Sequence, residues 1–272
     1  MLIDGFTPLT IGLLMAILAA SALMSGLSGF GFSAIGALCL ILLPPKLGVP
    51  LLMTLSAANQ LMSLRQLKAD MKPIRQWWPD GPAPYLLGGL VGVPIGLAIL
   101  GALPTAKLMV VFGGFLVVYA IYSLLRPHGA HATVQGNWLT SSLVGMSGGV
   151  IGGFTAFPGA PVVVWSGLRH LPKRESRAIV QPYILGLQIL SIALLALEKP
   201  ETFGKTYWLL VAITVPIVLP CTLMGVRLYK TLSDINFRRL TFILLGISGV
   251  GLLVKAAPAL AAVSQTAKVA GL

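Results

Sequence analysis

Apolar residues run in long blocks along this chain, and polar residues collect in short clusters between them. The runs fall at 9–25, 33–43, 48–64, 82–103, 106–125, 138–156, 160–168, 178–197, 206–226 and 240–257. Spanning the hydrocarbon of a bilayer takes about 20 helical residues, and a run of 10–14 reads as a broken or re-entrant piece. Segments 33–43 and 160–168 are therefore too short to cross. Each follows a Gly/Ser/Pro-rich break, Ser25-Gly26-Leu27-Ser28-Gly29-Phe30-Gly31-Phe32 and Gly152-Gly153-Phe154-Thr155-Ala156-Phe157-Pro158-Gly159. Non-helical backbone at membrane depth survives only where protein or a cavity satisfies its polar groups. The pattern predicts an all-α polytopic membrane protein.

The two breaks are related. An offset of 127 places Gly26 on Gly153 and Pro45-Lys46 on Pro172-Lys173, and an offset of 129 places Gly96 on Gly225. Residues 1–126 and 138–272 then read as two membrane repeats of about five helical segments, joined by a linker at 127–137. Each repeat opens with a broken or re-entrant pair, whose depth the sequence leaves open. Five segments per repeat is an odd number, so the second copy should be inverted. Charge agrees. Alternating sides puts loops 65–80, 126–137, 169–177 and 227–239 on one face with 4, 1, 4 and 4 Lys/Arg, 13 of the 19 in the chain. By the positive-inside rule that face is cytoplasmic.

Composition sharpens the class. Only 10% of the 272 residues are charged and 56% are hydrophobic, whereas soluble domains run near 25% charged. The formal net charge of +12 would raise nucleic acid on a soluble chain. Here it sits in short loops between apolar runs, so no nucleic-acid partner is expected. The reading also expects no enzyme, no cofactor and no metal: no Walker-type loop, Ser/His/Asp set or Cys/His ligand spacing occurs.

All seven acids (Asp4, Asp70, Asp80, Glu175, Glu198, Glu201, Asp234) fall in loops or at segment ends. A buried acid is the usual mark of a cation path, so cation exchange is disfavoured and a small anion fits better. Helices beginning near Ser33 and Ala160 would present free N–H groups and positive dipole ends toward the midplane, binding charge without a buried cation. Ser28, Ser33 and Thr155 add hydroxyls, and Gly29, Gly31 and Gly159 allow close backbone approach. The stripe Ser56, Asn59, Gln60, Ser63 shares one helical face, as do Gln181, Gln188 and Ser191. The candidate substrate-binding residues are Ser28, Gly29, Gly31, Ser33, Asn59, Gln60, Thr155, Gly159 and Gln181. The competing readings are that small residues only pack helices and that the amides are interhelical glue, which would make this a membrane interaction or assembly protein. Trp77, Trp78, Trp138 and Trp208 read as an interfacial belt, and Trp165 stands beside the second break.

The run from Gly152 through Val162, followed by Leu168-Arg169-His170-Leu171-Pro172-Lys173-Arg174-Glu175-Ser176-Arg177, resembles the second-half signature of the TauE/SafE sulfite exporter family, also called the toluene sulfonate uptake permease family. Gly26 to Phe32 is similar to its partner motif, with Phe30 and Phe32 where small residues are commoner. The resemblance implies passive or ion-coupled movement of sulfite, thiosulfate or organosulfonates across a bacterial inner membrane. The substrate itself, the direction, a coupling proton or sodium ion and a homo-oligomeric state stay open.

Overall fold

A computed structural model describes residues 6–66, 73, 76–125, 136–229, 243 and 246–258. Residues 127–135 of the linker, parts of the basic loops 65–80 and 227–239, the start of segment 240–257, and Asp4, Asp70 and Asp234 lie outside them. Ten helices are described: α1 Pro8–Ser28, α2 Phe32–Gly36 (continued by a 3-10 stretch, Ala37–Ile41), α3 Pro45–Gln66, α4 Ala83–Ala102, α5 Thr105–Leu125, α6 Trp138–Thr155, α7 Gly159–Leu168, α8 Lys173–Glu198, α9 Lys205–Tyr229 and α10 Gly246–Pro258. No strand occurs among the described residues, and six helices (α1, α3, α4, α5, α8, α9) are long and apolar enough to cross a bilayer. The chain is an all-α multi-pass membrane protein.

Most boundaries fall within a few residues of the apolar runs. The exception that matters is α8, which starts at Lys173 rather than at 178. Apolar runs stop at the first charge, but a helix does not. Pro172 fixes the entry, and Lys173 to Arg177 form a charged first turn. Arg177, expected in a basic loop, is instead a helical residue only 7% exposed.

Packing is reciprocal between the halves. α4 lies along α6, and α1 lies along α9, while α3 and α8 pack against each other in the centre. Both long crossings are backbone to backbone. On α4, Gly88, Gly92 and Gly96 repeat every four residues, and on α6 Gly145, Gly149 and Gly153 do the same. A Cβ at Gly92 would stand 2.1 Å from the Met146 carbonyl oxygen, and one at Gly96 2.2 Å from that of Val150. Across the molecule, a Cβ at Gly26 would stand 2.4 Å from the Thr222 carbonyl oxygen, and one at Gly225 2.2 Å from that of Leu23. Gly26 meets Gly225 as Gly153 meets Gly96, the residues that the two sequence offsets equate. Small residues that let backbones touch are how helices associate without water to drive them together.

Candidate functional site

Each break is a left-handed turn built by its own sequence. In the first, α1 ends on Gly29 (φ +80°), and Gly31 is also left-handed at φ +87°. The hydroxyl of Ser28 donates to the Met24 carbonyl and accepts from the Phe30 amide, closing the turn. In the second, α6 ends on Ala156 (φ +58°). Thr155 there repeats the role of Ser28, donating to the Ile151 carbonyl at 2.6 Å and accepting from the Phe157 amide at 3.1 Å. The Thr155 proton bonds back to α6, and Ser28 Oγ reaches both the Met24 and the Phe30 carbonyls, so both hydroxyls bond within their own breaks and shape the turns.

An amide from the central helices holds each turn. Gln60 Nε2 on α3 donates to the Gly29 carbonyl at 3.1 Å, and Gln188 Nε2 on α8 donates to the Ala156 carbonyl at 2.7 Å. Gln188 is thus the counterpart of Gln60, 128 positions on. Asn59 belongs to the packing: its Nδ2 donates to Ser25 Oγ at 2.8 Å, and its Oδ1 accepts from Thr222 Oγ1 at 2.7 Å, tying α1, α3 and α9. Interhelical side-chain bonds of this kind are worth about 0.6–1.7 kcal/mol. Asn59→Leu, which breaks two of them, should lower the melting temperature while leaving any ligand-induced shift in place. A thermal melt with and without ligand checks both parts.

The remaining predicted residues divide by what surrounds them. Ser33 Oγ and Gln60 Oε1 are buried and make no hydrogen bond. Gln181, fully buried on α8, has neither its amide nitrogen nor its amide oxygen bonded. The side of Gly31 where a Cβ would point is open, with only Ser28 Oγ near, at 3.9 Å. Gly159 opens α7 and packs on Ile184 and Val180 of α8, a Cβ there falling 2.7 Å from Ile184 Cδ1. The structure therefore gathers Ser28, Gly29, Gln60 and Gln181 around the first break and Thr155 and Gly159 at the second, with Asn59 to one side.

One residue at the first break escaped the sequence reading. Arg177 Nη2 donates to the Gly26 carbonyl at 2.8 Å, and its guanidinium lies 4.1 Å over the Tyr229 ring. A cation is favourable at a helix C-terminus, where carbonyls point outward unpaired. A buried cation thus stands beside the first break, where the sequence pattern expects none. The sequence signal was the i, i+4 spacing of Arg177 and Gln181, hidden because Arg177 was grouped with loop charges. Trp165 lies on α7 at the second break, in an apolar cleft of about 210 Å³ with Phe115, Tyr119, Ala160 and Pro161.

The glycines separate into two sets. Gly26, Gly96, Gly153 and Gly225 pack backbones, whereas Gly29 and Gly31 hold left-handed turns, which L-residues with a side chain adopt at a cost of roughly 1–2 kcal/mol. Packing alone does not explain the second set.

No curated protein and no solved structure matches the chain. The family model described as sulfite exporter TauE/SafE matches residues 13–252, a span that takes in both breaks, all the helices around them and nearly the whole chain. The chain belongs to the TauE/SafE sulfite exporter family, a family of membrane transporters.

Proposed function

We propose that the protein is a secondary transporter of a small sulfur oxyanion or organosulfonate, of the sulfite, thiosulfate or sulfoacetate type, in a bacterial inner membrane. Residues 1–126 and 138–272 act as two inverted repeats, linked by 127–137. The substrate sits near the midplane, between the breaks. Ser33, Gln60 and Gln181 supply polar groups, Gly31 supplies room, Gly29 and Gly159 let α8 approach each break closely, and Ser28, Thr155 and Asn59 hold the frame. Rocking one bundle against the other would expose that fixed site alternately, the behaviour typical of inverted-repeat transporters with discontinuous helices.

The observation that carries this reading is the paired construction of the two breaks. Ser28 and Thr155, Gln60 and Gln188, Gly29 and Ala156 do the same work in the two halves. The reciprocal packing of α1 with α9 and of α6 with α4 supports the same pairing of elements. Both features fit a site built where two broken helices meet, and buried polar atoms without partners occur in both halves, Ser33 Oγ and the Gln181 amide at the first break and Trp165 Nε1 and Ser166 Oγ on α7.

A thermal-shift screen of detergent-purified protein against sulfite, thiosulfate, sulfoacetate, taurine, sulfate and chloride tests it. A ligand that binds only folded protein contributes about 2.7 kcal/mol at 100 times its Kd. Selective stabilisation by a sulfur anion is expected, and Gly31→Leu, which fills the open side of the turn, should remove it. Stabilisation by none of these anions, or by chloride equally, would contradict the proposal.

A further inference from the structure

We infer that the site reads charge at one end only: Arg177 and Gln181 form an oxyanion-binding pole at the first break, and the second break contributes shape without charge. This rests on the transport reading above and deepens it. Arg177 and Gln181 stand one turn apart on α8 and converge on a single point beside Gly29. A Cβ placed there would lie 2.6 Å from Arg177 Nε and 3.1 Å from Gln181 Nε2. Two N–H donors, one of them cationic, thus approach the same left-handed turn. Charge-assisted hydrogen bonds from a guanidinium to an oxyanion are about twice as strong as neutral ones.

Two observations set this end apart. The first is Gln181 itself, fully buried with both amide atoms unbonded. A buried polar group left unmade is costly, and a purely structural amide would be expected to find a partner, as Gln60 Nε2 and Gln188 Nε2 do. An oxyanion at the turn gives its N–H an acceptor. The second is the asymmetry of α8. The turn of α8 that carries Arg177 and Gln181 faces the first break, while Val180 and Ile184 face the start of α7 at the second. The spacings that relate the two helices, 127 at Pro45 and Pro172 and 128 at Gln60 and Gln188, put Pro50 or Val49 and Thr54 or Met53 of α3 where α8 has Arg177 and Gln181. At either spacing α3 carries neither a cation nor an amide there. Stacking on Tyr229 and the bond to the Gly26 carbonyl fix the guanidinium plane, so its direction is set before a ligand arrives. The ligand class is a sulfur oxyanion held through the oxygens of one group, as in sulfite or the head of a sulfonate.

The test uses the full-length protein in detergent, titrated with sodium sulfite, thiosulfate and methanesulfonate at constant ionic strength set by chloride. Gln181→Met replaces the amide by an apolar side chain of similar length. It removes an unbonded buried amide, so the ligand-free protein should melt at the same temperature or higher. Its affinity for the sulfur anion should nevertheless fall at least tenfold, about 1.4 kcal/mol. Arg177→Lys keeps the charge but loses the planar fork, and its affinity should fall as well. A merely structural role predicts lower melting temperatures with unchanged Kd. Wild-type affinity in either variant overturns the inference while leaving transport standing. A wild-type protein that binds none of the three anions overturns the transport reading itself, and this inference with it.

Discussion

Replacing Gly92 by leucine should leave almost no folded protein. The α4–α6 crossing has no side-chain layer: a Cβ at Gly92 would meet the Met146 carbonyl oxygen at 2.1 Å and the Val150 amide at 2.8 Å. The neighbours are backbone, so no rotamer change can make room. Overpacking a well-packed core costs about 1–3 kcal/mol when side chains can shift. Here whole helices must separate, so the loss should exceed about 3 kcal/mol, the upper end of that range. Separation would also strip contacts from Gly88, Gly96, Gly145, Gly149 and Gly153 together. Size-exclusion profile and melting temperature of the purified variant check this. Gly114, whose added Cβ would meet nothing within 4 Å, is the control, and Gly114→Leu should fold normally.

Gly29→Ala should do the opposite, sparing the fold and stopping transport. Alanine already occupies the matching left-handed position of the second break, as Ala156, so this fold accommodates it there. The strain should be about 1–2 kcal/mol. At the first break the turn also has Arg177 as a neighbour. The new Cβ would fall 2.6 Å from Arg177 Nε and 3.1 Å from Gln181 Nε2, pushing both donors off the turn. Misplacing positioning groups by about 1 Å can cost a hundredfold in rate, and flux should drop at least tenfold. Flux into liposomes, normalised to inserted protein, reads it. Unchanged flux would separate the turn from the substrate path.

Much of this was legible in the sequence for a simple reason. Hydrocarbon forces long apolar runs to be helices, and forces breaks in those runs to be built from glycine, serine and proline. Both breaks, the two short helices after them and the buried polar stripe on α3 follow from that constraint alone. The equations of Gly26 with Gly153 and of Gly96 with Gly225 placed residues that prove to meet across the helix crossings. Three things did not show. Hydropathy stops at the first charge, so it assigns the first turn of α8 to a loop and hides Arg177. A list of polar residues does not say which amides are spent on backbone: Gln188, passed over as a candidate, matches Gln60, while Gln181 has no counterpart in the first half. Hydroxyls at Ser28 and Thr155 read as ligand donors, but a serine or threonine at a helix end donates to its own carbonyls first.

Flux measured in proteoliposomes is the most direct test of the central claim. Purified protein reconstituted into sealed vesicles should move labelled sulfite or thiosulfate down an imposed gradient, saturably and with competition from the other sulfur anion. Chloride should not compete, and Gln181→Met vesicles should need at least tenfold more substrate for half-maximal flux. Vesicles holding folded wild-type protein that leak these anions no faster than empty ones would contradict the account.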